Sequence, residues 1–391
     1  MFIVLILPYL CARTILHLYF LKKNIAYIIS NINKALAFEW IGAELDKERF
    51  RLVFILLNPD DSAIEQHLRR DFMVYRIPFR GKKDLFKAIV KIYRILKSEN
   101  IYVIHTHLFE ATLTGMIAAR LAGVKKRIYS RHHGSYHHEY FPSAIKYDRF
   151  INSLATDIVA ISENVKNILM NYENVPAEKI HLIHHGFDLE AFGEVRTEKI
   201  IAMKKKYHLD SAYPVIGVIS RYIEWKGIQY ILPAFIKLLQ TFPQAHLVLA
   251  NAKGHYEKEI REFLKQIPQQ YYTEIVFEED LFTLYKLFDI FVHTPVNKNI
   301  EAFGQTYVEA LASGIPSVFT LSGVAKEFMV NRENALVADF KNSDEIYDAM
   351  AELLKNESLR NLLIRNGQKS VERFALKTFI KKLEELYSAS T

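Results

Sequence analysis

The chain has 391 residues, of which 50% are hydrophobic and 24% are charged, and its formal net charge is +7. This length and balance predict about two globular domains with large cores, and they exclude a minimal binding module and a disordered chain. The single cysteine, Cys11, excludes an intramolecular disulfide framework and a thiolate-rich metal site, and it fits a reducing cytosolic compartment.

The first 21 residues form an extra apolar segment. Met1–Leu10 is almost purely apolar, but Pro8, Arg13 and His17 interrupt the roughly 20 apolar residues that a membrane-spanning helix needs. The basic start and small-residue cleavage site of a secretory signal are not evident. We therefore expect an extra helix, packed on the protein or lying at a membrane interface, with a weak signal anchor as the alternative.

Short apolar runs alternate with helical patterns along the chain. The predicted strands are Ile25–Ile29, Arg51–Leu57, Met73–Ile77, Ile101–His105, Lys126–Ser130, Asp157–Ile161, Ile180–His184, Val215–Ser220, His246–Ala250, Glu274–Phe277, Ile290–His293, Ser317–Thr320 and Ala335–Val337. The predicted helices between them include Leu85–Ser98, Thr112–Ala122, Gln229–Gln240 and Gln305–Ser313. This alternation predicts parallel sheets that are covered by helices on both faces.

Thirteen strands are too many for one open sheet, so we predict two. The polar stretch Phe192–Lys206 marks the boundary between a first domain, 1–195, and a second domain, 196–373. We expect the remaining residues, 374–391, to form a helix that packs back on the first domain. Ligands bind outside the carboxyl ends of the strands of such sheets, which predicts a site in the cleft between the domains.

A basic stretch lies between Arg69 and Lys97, with ten Lys and Arg residues against Asp71 and Asp84. Such a patch attracts anionic surfaces, either membrane or nucleic acid. Its helix has an apolar stripe, Leu85, Ile89, Ile92 and Leu96, bordered by Lys82, Lys83, Lys87, Lys91 and Arg94. This pattern favours a helix lying on an anionic membrane. The alternative is a stripe packed in the core beneath solvated lysines.

Histidines are concentrated after the strand Lys126–Ser130. His132 and His133 precede Gly134, and His137 and His138 follow closely. Such a cluster is one form that a transition-metal site takes. No further ligand pattern accompanies these histidines, so we predict that the protein has no metal site.

Two cations follow the first strand of the second half. Arg221 comes directly after Val215–Ser220, and Lys226 precedes Gly227. Fixed cations at a strand end can hold a diphosphate and neutralise a leaving group as its charge develops. The alternative is a pair of ordinary surface cations.

Two acids eight residues apart follow the strand Ile290–His293. Glu301 lies on a loop, and Glu309 lies one turn into the helix that starts near Gln305. Gly304 lets the backbone approach a ligand, and the free N–H groups of the helix start favour a phosphate. The two carboxylates can accept hydrogen bonds from hydroxyl groups, as acidic residues do from a ribose. The alternative is two acids without a ligand.

Together these residues resemble family 4 of the retaining glycosyltransferases, whose EX7E motif has the spacing of Glu301 and Glu309. Other segments that resemble the family are Val159–Val165, Lys179–Asp188 and Glu309–Pro316. The resemblance extends roughly from residue 101 to residue 337. It implies the GT-B architecture, an α/β fold with two Rossmann-like doubly wound parallel-sheet domains facing across a cleft.

The resemblance also implies roles for the site residues. The implied donor-binding residues are Arg221, Lys226, Phe303, Gly304, Gln305 and Glu309. The implied catalytic residues are Glu301, His133, Arg221 and Lys226. Arg221 and Lys226 would bind the diphosphate, and Glu309 would hold the ribose. Glu301 would contact the transferred sugar, and His133, which we prefer to His132, would lie near the reacting centre.

The chain departs from the family at several points. The stretch Ile29–Leu36 stands where the family has a Gly-rich loop that faces the acceptor and the donor phosphate. Ser220 replaces the usual glycine before the arginine. Ser322 and Gly323 replace a common Gly-Gly, and the following acid, Glu327, is slightly displaced. These differences bear on acceptor and donor choice and leave the main charged groups in place.

Other classes lack support. No GxGxxG fingerprint, P-loop or convincing DxD pair is evident, which speaks against a nicotinamide enzyme, a P-loop ATPase and a metal-bound diphosphate. No recognised motif accompanies the basic stretch, so we expect no nucleic acid partner.

We predict a metal-independent, cofactor-free hexosyltransferase that moves sugar from a nucleoside-diphosphate sugar to a lipid-linked or saccharide acceptor, with retention of configuration. Cell-envelope polysaccharide, lipopolysaccharide or glycolipid synthesis is the expected setting. The expected location is the cytoplasm, with the inner face of the cytoplasmic membrane as a peripheral site. The alternatives are a GT-B-fold nucleotide-sugar epimerase and a non-catalytic nucleotide-sugar-binding protein.

Overall fold

The structure is a computed structural model that describes residues 22–389. The predicted apolar segment 1–21, with its expected helix, lies outside these residues. All thirteen predicted strands are confirmed. They are β1 (Lys23–Ser30), β2 (Phe50–Leu57), β3 (Met73–Arg76), β4 (Val103–His107), β5 (Lys126–Arg131), β6 (Asp157–Ala160), β7 (Ile180–Leu182), β8 (Val215–Ile219), β9 (His246–Ala250), β10 (Tyr272–Ile275), β11 (Ile290–His293), β12 (Ser317–Phe319) and β13 (Leu336–Val337).

Helices connect the strands. In chain order they are α1 (Leu36–Glu44), α2 (Ala63–Leu68), α3 (Leu85–Ser98), α4 (Phe109–Ala122), α5 (Tyr136–Tyr140), α6 (Ile145–Leu154), α7 (Glu163–Asn171), α8 (Leu189–Gly193), α9 (Thr197–Lys206), α10 (Ile228–Thr241), α11 (Glu257–Leu264), α12 (Leu281–Tyr285), α13 (Gln305–Ala312), α14 (Ser343–Lys355), α15 (Glu357–Val371) and α16 (Leu376–Ser388). Side chains cap the N-termini of several helices. At α7, for example, the Ser162 hydroxyl accepts a hydrogen bond from the Val165 N–H at 3.1 Å.

The strands form two parallel sheets, so the predicted fold class is confirmed. The first sheet has the order β3-β2-β1-β4-β5-β6-β7, and the second has the order β10-β9-β8-β11-β12-β13. Both orders reverse beside their first strand, as in a Rossmann-like sheet. The central strands β1, β2, β8 and β9 are almost entirely buried because helices cover both faces. The predicted boundary near residue 195 falls in the connection between the sheets, between α8 and α9.

The last helix, α16, crosses back to the first sheet. Its Tyr387 is fully buried, and the Tyr387 hydroxyl hydrogen-bonds the hydroxyl of Tyr27 on β1. The backbone carbonyl of Ala389 accepts from Lys126 Nζ at 2.7 Å. The core of the first sheet therefore includes side chains from the far end of the chain.

The membrane interpretation of the apolar stripe on α3 is wrong. Ile92 and Leu96 are 0% and 2% exposed, and Leu85 and Ile89 pack against the same core. The stripe faces inward because α3 packs against α4. The lysines at 82, 83 and 87 remain exposed. Among residues 22–389, no helix combines the length and hydropathy that crossing a bilayer requires.

Candidate functional site

The two sheets face each other across a cleft. A cavity of about 610 Å³ lies there, next to the points where both strand orders reverse. Seven of the eight predicted site residues line it: His133, Arg221, Lys226, Glu301, Phe303, Gly304 and Gln305. The eighth, Glu309, lines an adjoining cavity that shares Gln305 with the first. The structure therefore gathers the predicted residues into one region.

Glu301 and Lys226 form a buried ion pair on the second-domain side of the cleft. Lys226 Nζ lies 2.5 Å from Glu301 Oε1, and His293 Nε2 lies 3.2 Å from the same oxygen. Burial by itself raises the pKa of Glu301, but the charge of Lys226 and the contact with His293 outweigh it and lower that pKa to about 2. Glu301 is therefore an ionised hydrogen-bond acceptor at neutral pH and a poor base.

Arg221 projects from the end of β8 into the same cavity and is exposed. Its guanidinium makes no hydrogen bond or ion pair to any of residues 22–389. Gly227 fixes the position of the neighbouring Lys226: its φ is +77°, and an added Cβ would lie 1.8 Å from the carbonyl oxygen of Thr294. Only glycine fits such a close approach in this backbone conformation. The second-domain side of the cavity thus presents one lysine paired with an acid and one unpaired guanidinium, which suits an anionic ligand.

The helix α13 begins at the cleft. Its N-cap is Gly304, with φ +86°, where an added Cβ would lie 2.5 Å from the ring of Tyr307. The first turn presents backbone N–H groups that the helix itself cannot satisfy. Phe303 is 2% exposed and packs against Phe187, so its side chain belongs to the core and only its backbone is available to a ligand.

Glu309 lies one turn into α13 and is 8% exposed. Its Oε2 accepts a hydrogen bond from the Tyr285 hydroxyl at 2.7 Å. Burial raises the pKa of Glu309 to about 7, because this single hydrogen bond only partly compensates for the loss of water. The two acids of the motif therefore differ: Glu301 is ionised throughout the neutral range, whereas Glu309 titrates within it.

His133 belongs to a buried polar cluster on the first-domain side. Asp148 Oδ2 lies 3.4 Å from His133 Nε2, 2.7 Å from His137 Nδ1 and 3.3 Å from Arg131 Nη2. Glu173 makes a second ion pair with Arg131, at 2.5 Å. The hydrogen bonds from the two histidines and the charge of Arg131 outweigh burial and hold the pKa of Asp148 below its usual value.

This cluster sets the tautomer of His133. Burial and the charge of Arg131 lower the pKa of His133 to about 3, so its ring is neutral at pH 7. Because an ionised carboxylate only accepts hydrogen bonds, the proton of that ring lies on Nε2 and faces Asp148. His133 Nδ1 is then an acceptor, and Asp148 is its positioning residue.

The same cluster is the one group of potential metal ligands among residues 22–389. One atom each from His133, His137 and Asp148 lie within 4.8 Å of one another. The guanidinium of Arg131 already occupies the carboxylate oxygen that these histidines share, so a hydrogen-bonded network accounts for the arrangement. The absence of a metal requirement stays a prediction.

Sequence reasoning missed several of these residues. His293 is a polar residue at the end of a predicted strand, which is a signal that places it near the cleft. Asp148 and Glu173 lie 15 and 40 positions after His133, inside and after helices, and no spacing rule connects them. Tyr285 lies on the five-residue helix α12 and carries no recognisable signal.

Known proteins resemble this chain along most of its length. Residues 199–370 match the family described as Glycosyl transferases group 1, and residues 41–191 match Glycosyltransferase Family 4. The capsular polysaccharide biosynthesis glycosyltransferase CapM of Staphylococcus aureus is 26% identical over 351 residues, which cover 85% of this chain and 89% of CapM. The alpha-monoglucosyldiacylglycerol synthase of Streptococcus pneumoniae is 26% identical over 303 residues, which cover 71% and 65% of the two chains.

Solved structures share the fold. The structure of Anabaena Alr3699/HepE in complex with UDP and glucose has a TM-score of 0.80 at 20% identity and covers 95% of this chain and 100% of that one. A glycosyltransferase from Rickettsia africae has a TM-score of 0.78 at 19% identity and covers 94% and 98% of the two chains.

Proposed function

The chain belongs to the group 1, family 4 glycosyltransferases and has their GT-B architecture, and from this premise we propose that it transfers a sugar from a nucleoside-diphosphate sugar to an acceptor hydroxyl. One observation carries the proposal. An unpaired guanidinium, an acid-paired lysine and the N-terminus of α13 converge on one cavity at the carboxyl ends of β8 and β11. This constellation suits a diphosphate that carries a sugar.

Donor binding would rearrange the Lys226–Glu301 pair. Without donor, each charge neutralises the other in a buried setting. A diphosphate would draw Lys226 Nζ and Arg221 to its oxygens, and Glu301 would accept hydrogen bonds from hydroxyls of the sugar. Glu309, which lines the adjoining cavity, would accept hydrogen bonds from the ribose hydroxyls. These roles place the anomeric carbon beside Glu301, on the side of the cleft that faces His133.

We propose a front-face reaction with retention. The bond between the anomeric carbon and the phosphate oxygen breaks while the acceptor oxygen approaches from the same face, and the acceptor proton passes to the leaving phosphate. Arg221 and Lys226 stabilise the charge that develops on the diphosphate. Because its pKa is lowered to about 2, Glu301 suits orientation of the sugar rather than proton transfer. Neutral His133 would accept a hydrogen bond from the sugar or the acceptor through Nδ1.

The setting we propose is synthesis of cell-envelope polysaccharide, lipopolysaccharide or glycolipid. CapM is named for capsular polysaccharide biosynthesis, and the streptococcal relative is named as a diacylglycerol glycolipid synthase. UDP or UDP-glucose occupies the HepE structures, which makes a uridine nucleotide the first donor to test. The exposed lysines at 82, 83 and 87 support peripheral contact with an anionic membrane from the cytoplasmic side.

The test begins with nucleotide binding. Purified protein is screened by thermal shift against UDP, GDP, ADP and their sugar conjugates without added metal. We expect one nucleotide class to raise the melting temperature, and we expect Lys226→Ala to abolish that rise while Lys258→Ala, on the exposed side of α11, keeps it. No rise with any nucleotide in a folded sample would refute the donor site.

Product analysis completes the test. The selected donor is incubated with candidate acceptors, and the anomeric configuration of the product is read by NMR coupling constants. A glycoside with inverted configuration would contradict retention. An altered nucleotide sugar formed without acceptor would instead support the epimerase.

A further inference from the structure

A second cavity, of about 460 Å³, adjoins the donor cleft. Ser130, His132 and His185 line both cavities, so the two spaces are continuous at that point. The part of the second cavity built by the first domain and α16 is called the apolar chamber here. It is lined by Ala35, Ala37, Phe38, Trp40, Phe187 and Phe379. The residues of α1 that line the chamber lie at the end of the stretch Ile29–Leu36 and just after it. That stretch stands where the family has a Gly-rich loop.

The walls of the apolar chamber offer few partners to a polar ligand. Within residues 22–389, the first domain contributes a single charged side chain to the lining, Lys34. Lys34 Nζ already forms an ion pair with Glu279 Oε1 at 3.2 Å. The Ser130 hydroxyl lies 2.9 Å from His105 Nε2, so a neighbouring side chain already engages it. The imidazoles of the chamber are too few to replace the water that all the hydroxyls of a sugar ring would lose here, which is unfavourable. A hydrocarbon group would instead gain from burial.

The floor of the chamber consists of imidazoles that carry no charge at neutral pH. Burial lowers the pKa of His132 to about 4 and that of His185 to about 3, and it lowers the pKa of His107 strongly. His107 Nδ1 lies 3.0 Å from His132 Nε2. His107 Nε2 is buried and has no hydrogen-bond partner in the described part of the chain.

We propose that the apolar chamber binds a hydrocarbon portion of the acceptor, while the hydroxyl to be glycosylated extends past His132 into the donor cleft. This proposal rests on the proposed function, because it takes the adjoining cavity to be the donor site. The whole second cavity, the apolar chamber and its polar side together, measures about 460 Å³, which lies within the range of small-molecule sites. The far side of the same cavity carries Glu309 and Asn251, and that polar side suits the nucleoside. The acceptor is therefore a glycolipid or another molecule whose apolar group lies near the attacking hydroxyl.

The test compares two probes that share a headgroup. Binding of n-octyl β-D-glucopyranoside, below its micelle concentration, and of methyl β-D-glucopyranoside is measured by displacement of the neutral dye N-phenyl-1-naphthylamine. We expect the octyl compound to bind at least tenfold more tightly. Ala37→Phe, which fills the chamber from α1, should weaken octyl binding at least tenfold. Ala43→Phe, the same change on an exposed position of α1, should leave it unchanged.

A second variant and a donor measurement keep the outcomes distinct. Ala35→Leu, at the extended N-cap of α1, should weaken octyl binding as Ala37→Phe does, without a bulky side chain inside the helix. Equal binding of the two probes, or unchanged octyl binding in both filling variants, would overturn the proposal. A parallel loss of UDP binding would also overturn it, because the chamber would then belong to the nucleoside. Octyl selectivity in a protein that binds no nucleotide would uphold the chamber and refute the donor site alone.

Discussion

The two walls of the cleft recognise ligands by opposite physical means. The second-domain wall holds full charges close together: Lys226 and Glu301 lie 2.5 Å apart, beside the unpaired Arg221. The first-domain wall holds neutral imidazoles beside a buried ion cluster, in which Arg131 and Asp148 neutralise each other. A charged wall selects an anion at long range, whereas a neutral wall selects by shape and hydrogen-bond geometry. Donor recognition should therefore respond to substitutions that change the charge of the second-domain wall. Acceptor recognition should respond to substitutions that change side-chain volume or a histidine tautomer on the first-domain wall.

The largest effect is expected on the charged wall. Lys226→Ala should lower kcat/KM for the donor by about 10²- to 10³-fold, because it removes a group that stabilises charge developing on the diphosphate. Steady-state kinetics with the donor varied would measure the loss. Lys258→Ala should keep wild-type activity, and a Lys226→Ala enzyme with full activity would remove Lys226 from the site.

A smaller effect is expected when the tautomer of His133 is no longer fixed by Asp148. Asp148→Asn should lower kcat about tenfold with little change in the donor KM, less than the roughly 10²-fold expected when a positioned histidine is lost altogether. The fall should be nearly the same from pH 6 to pH 8, because loss of the Asp148 charge lowers the pKa of His133 further and the ring stays neutral. The measurement is a pH profile of kcat. Asp157→Asn, which breaks the Asp157–His181 contact of 2.9 Å away from the cleft, is the matched control.

A tenfold change or less is expected from titration of Glu309. In the role we propose for Glu309, the ionised form would accept hydrogen bonds from both ribose hydroxyls, so nucleotide-sugar affinity should rise as the pH increases through about 7. Between pH 6 and pH 8 the ionised fraction grows about tenfold, and the dissociation constant should fall by up to that factor. A nucleotide sugar is preferable to the free diphosphate, whose terminal phosphate also titrates near pH 6. Glu309→Gln should give a flat profile, and an equally steep profile in that variant would assign the titration to another group.

The smallest effect on catalysis is expected from the exposed lysines of the first domain. Replacing Lys82, Lys83 and Lys87 with Glu should leave turnover of a soluble acceptor and thermal stability almost unchanged, because these side chains lie outside the cleft and the core. Cosedimentation with anionic liposomes should fall, since each lysine near such a surface contributes roughly 1 kcal/mol. Equal cosedimentation of both proteins would end the membrane role of this surface.

Sequence reasoning succeeded best for residues that a strand end or a short motif is enough to locate. All strands were predictable because buried parallel strands are short apolar runs, and Arg221, Lys226 and Glu301 lie directly after such runs or in one motif. The contact between Lys226 and Glu301 joins residues 75 positions apart, and only the folded chain shows it.

The first-domain wall was harder to predict. Asp148 reaches His133 from the helix α6, and Glu173 reaches Arg131 from beyond α7. These pairs depend on how helices pack over the sheet, which no local pattern encodes. The stripe on α3 was misinterpreted for a related reason: an amphipathic helix has the same pattern whether its apolar face meets lipid or a neighbouring helix.

The return of α16 to the first sheet has a consequence for how the molecule is made. Tyr387, Leu383 and Leu386 belong to the core that surrounds β1, although more than 350 residues separate Tyr387 from Tyr27 along the chain. A ribosome releases the start of the chain long before it synthesises α16. The first domain therefore cannot complete its core during synthesis and must wait for the final turns of helix. Folding of the first-domain core is in this way coupled to synthesis of α16, so a product that stops before α16 would lack part of that core.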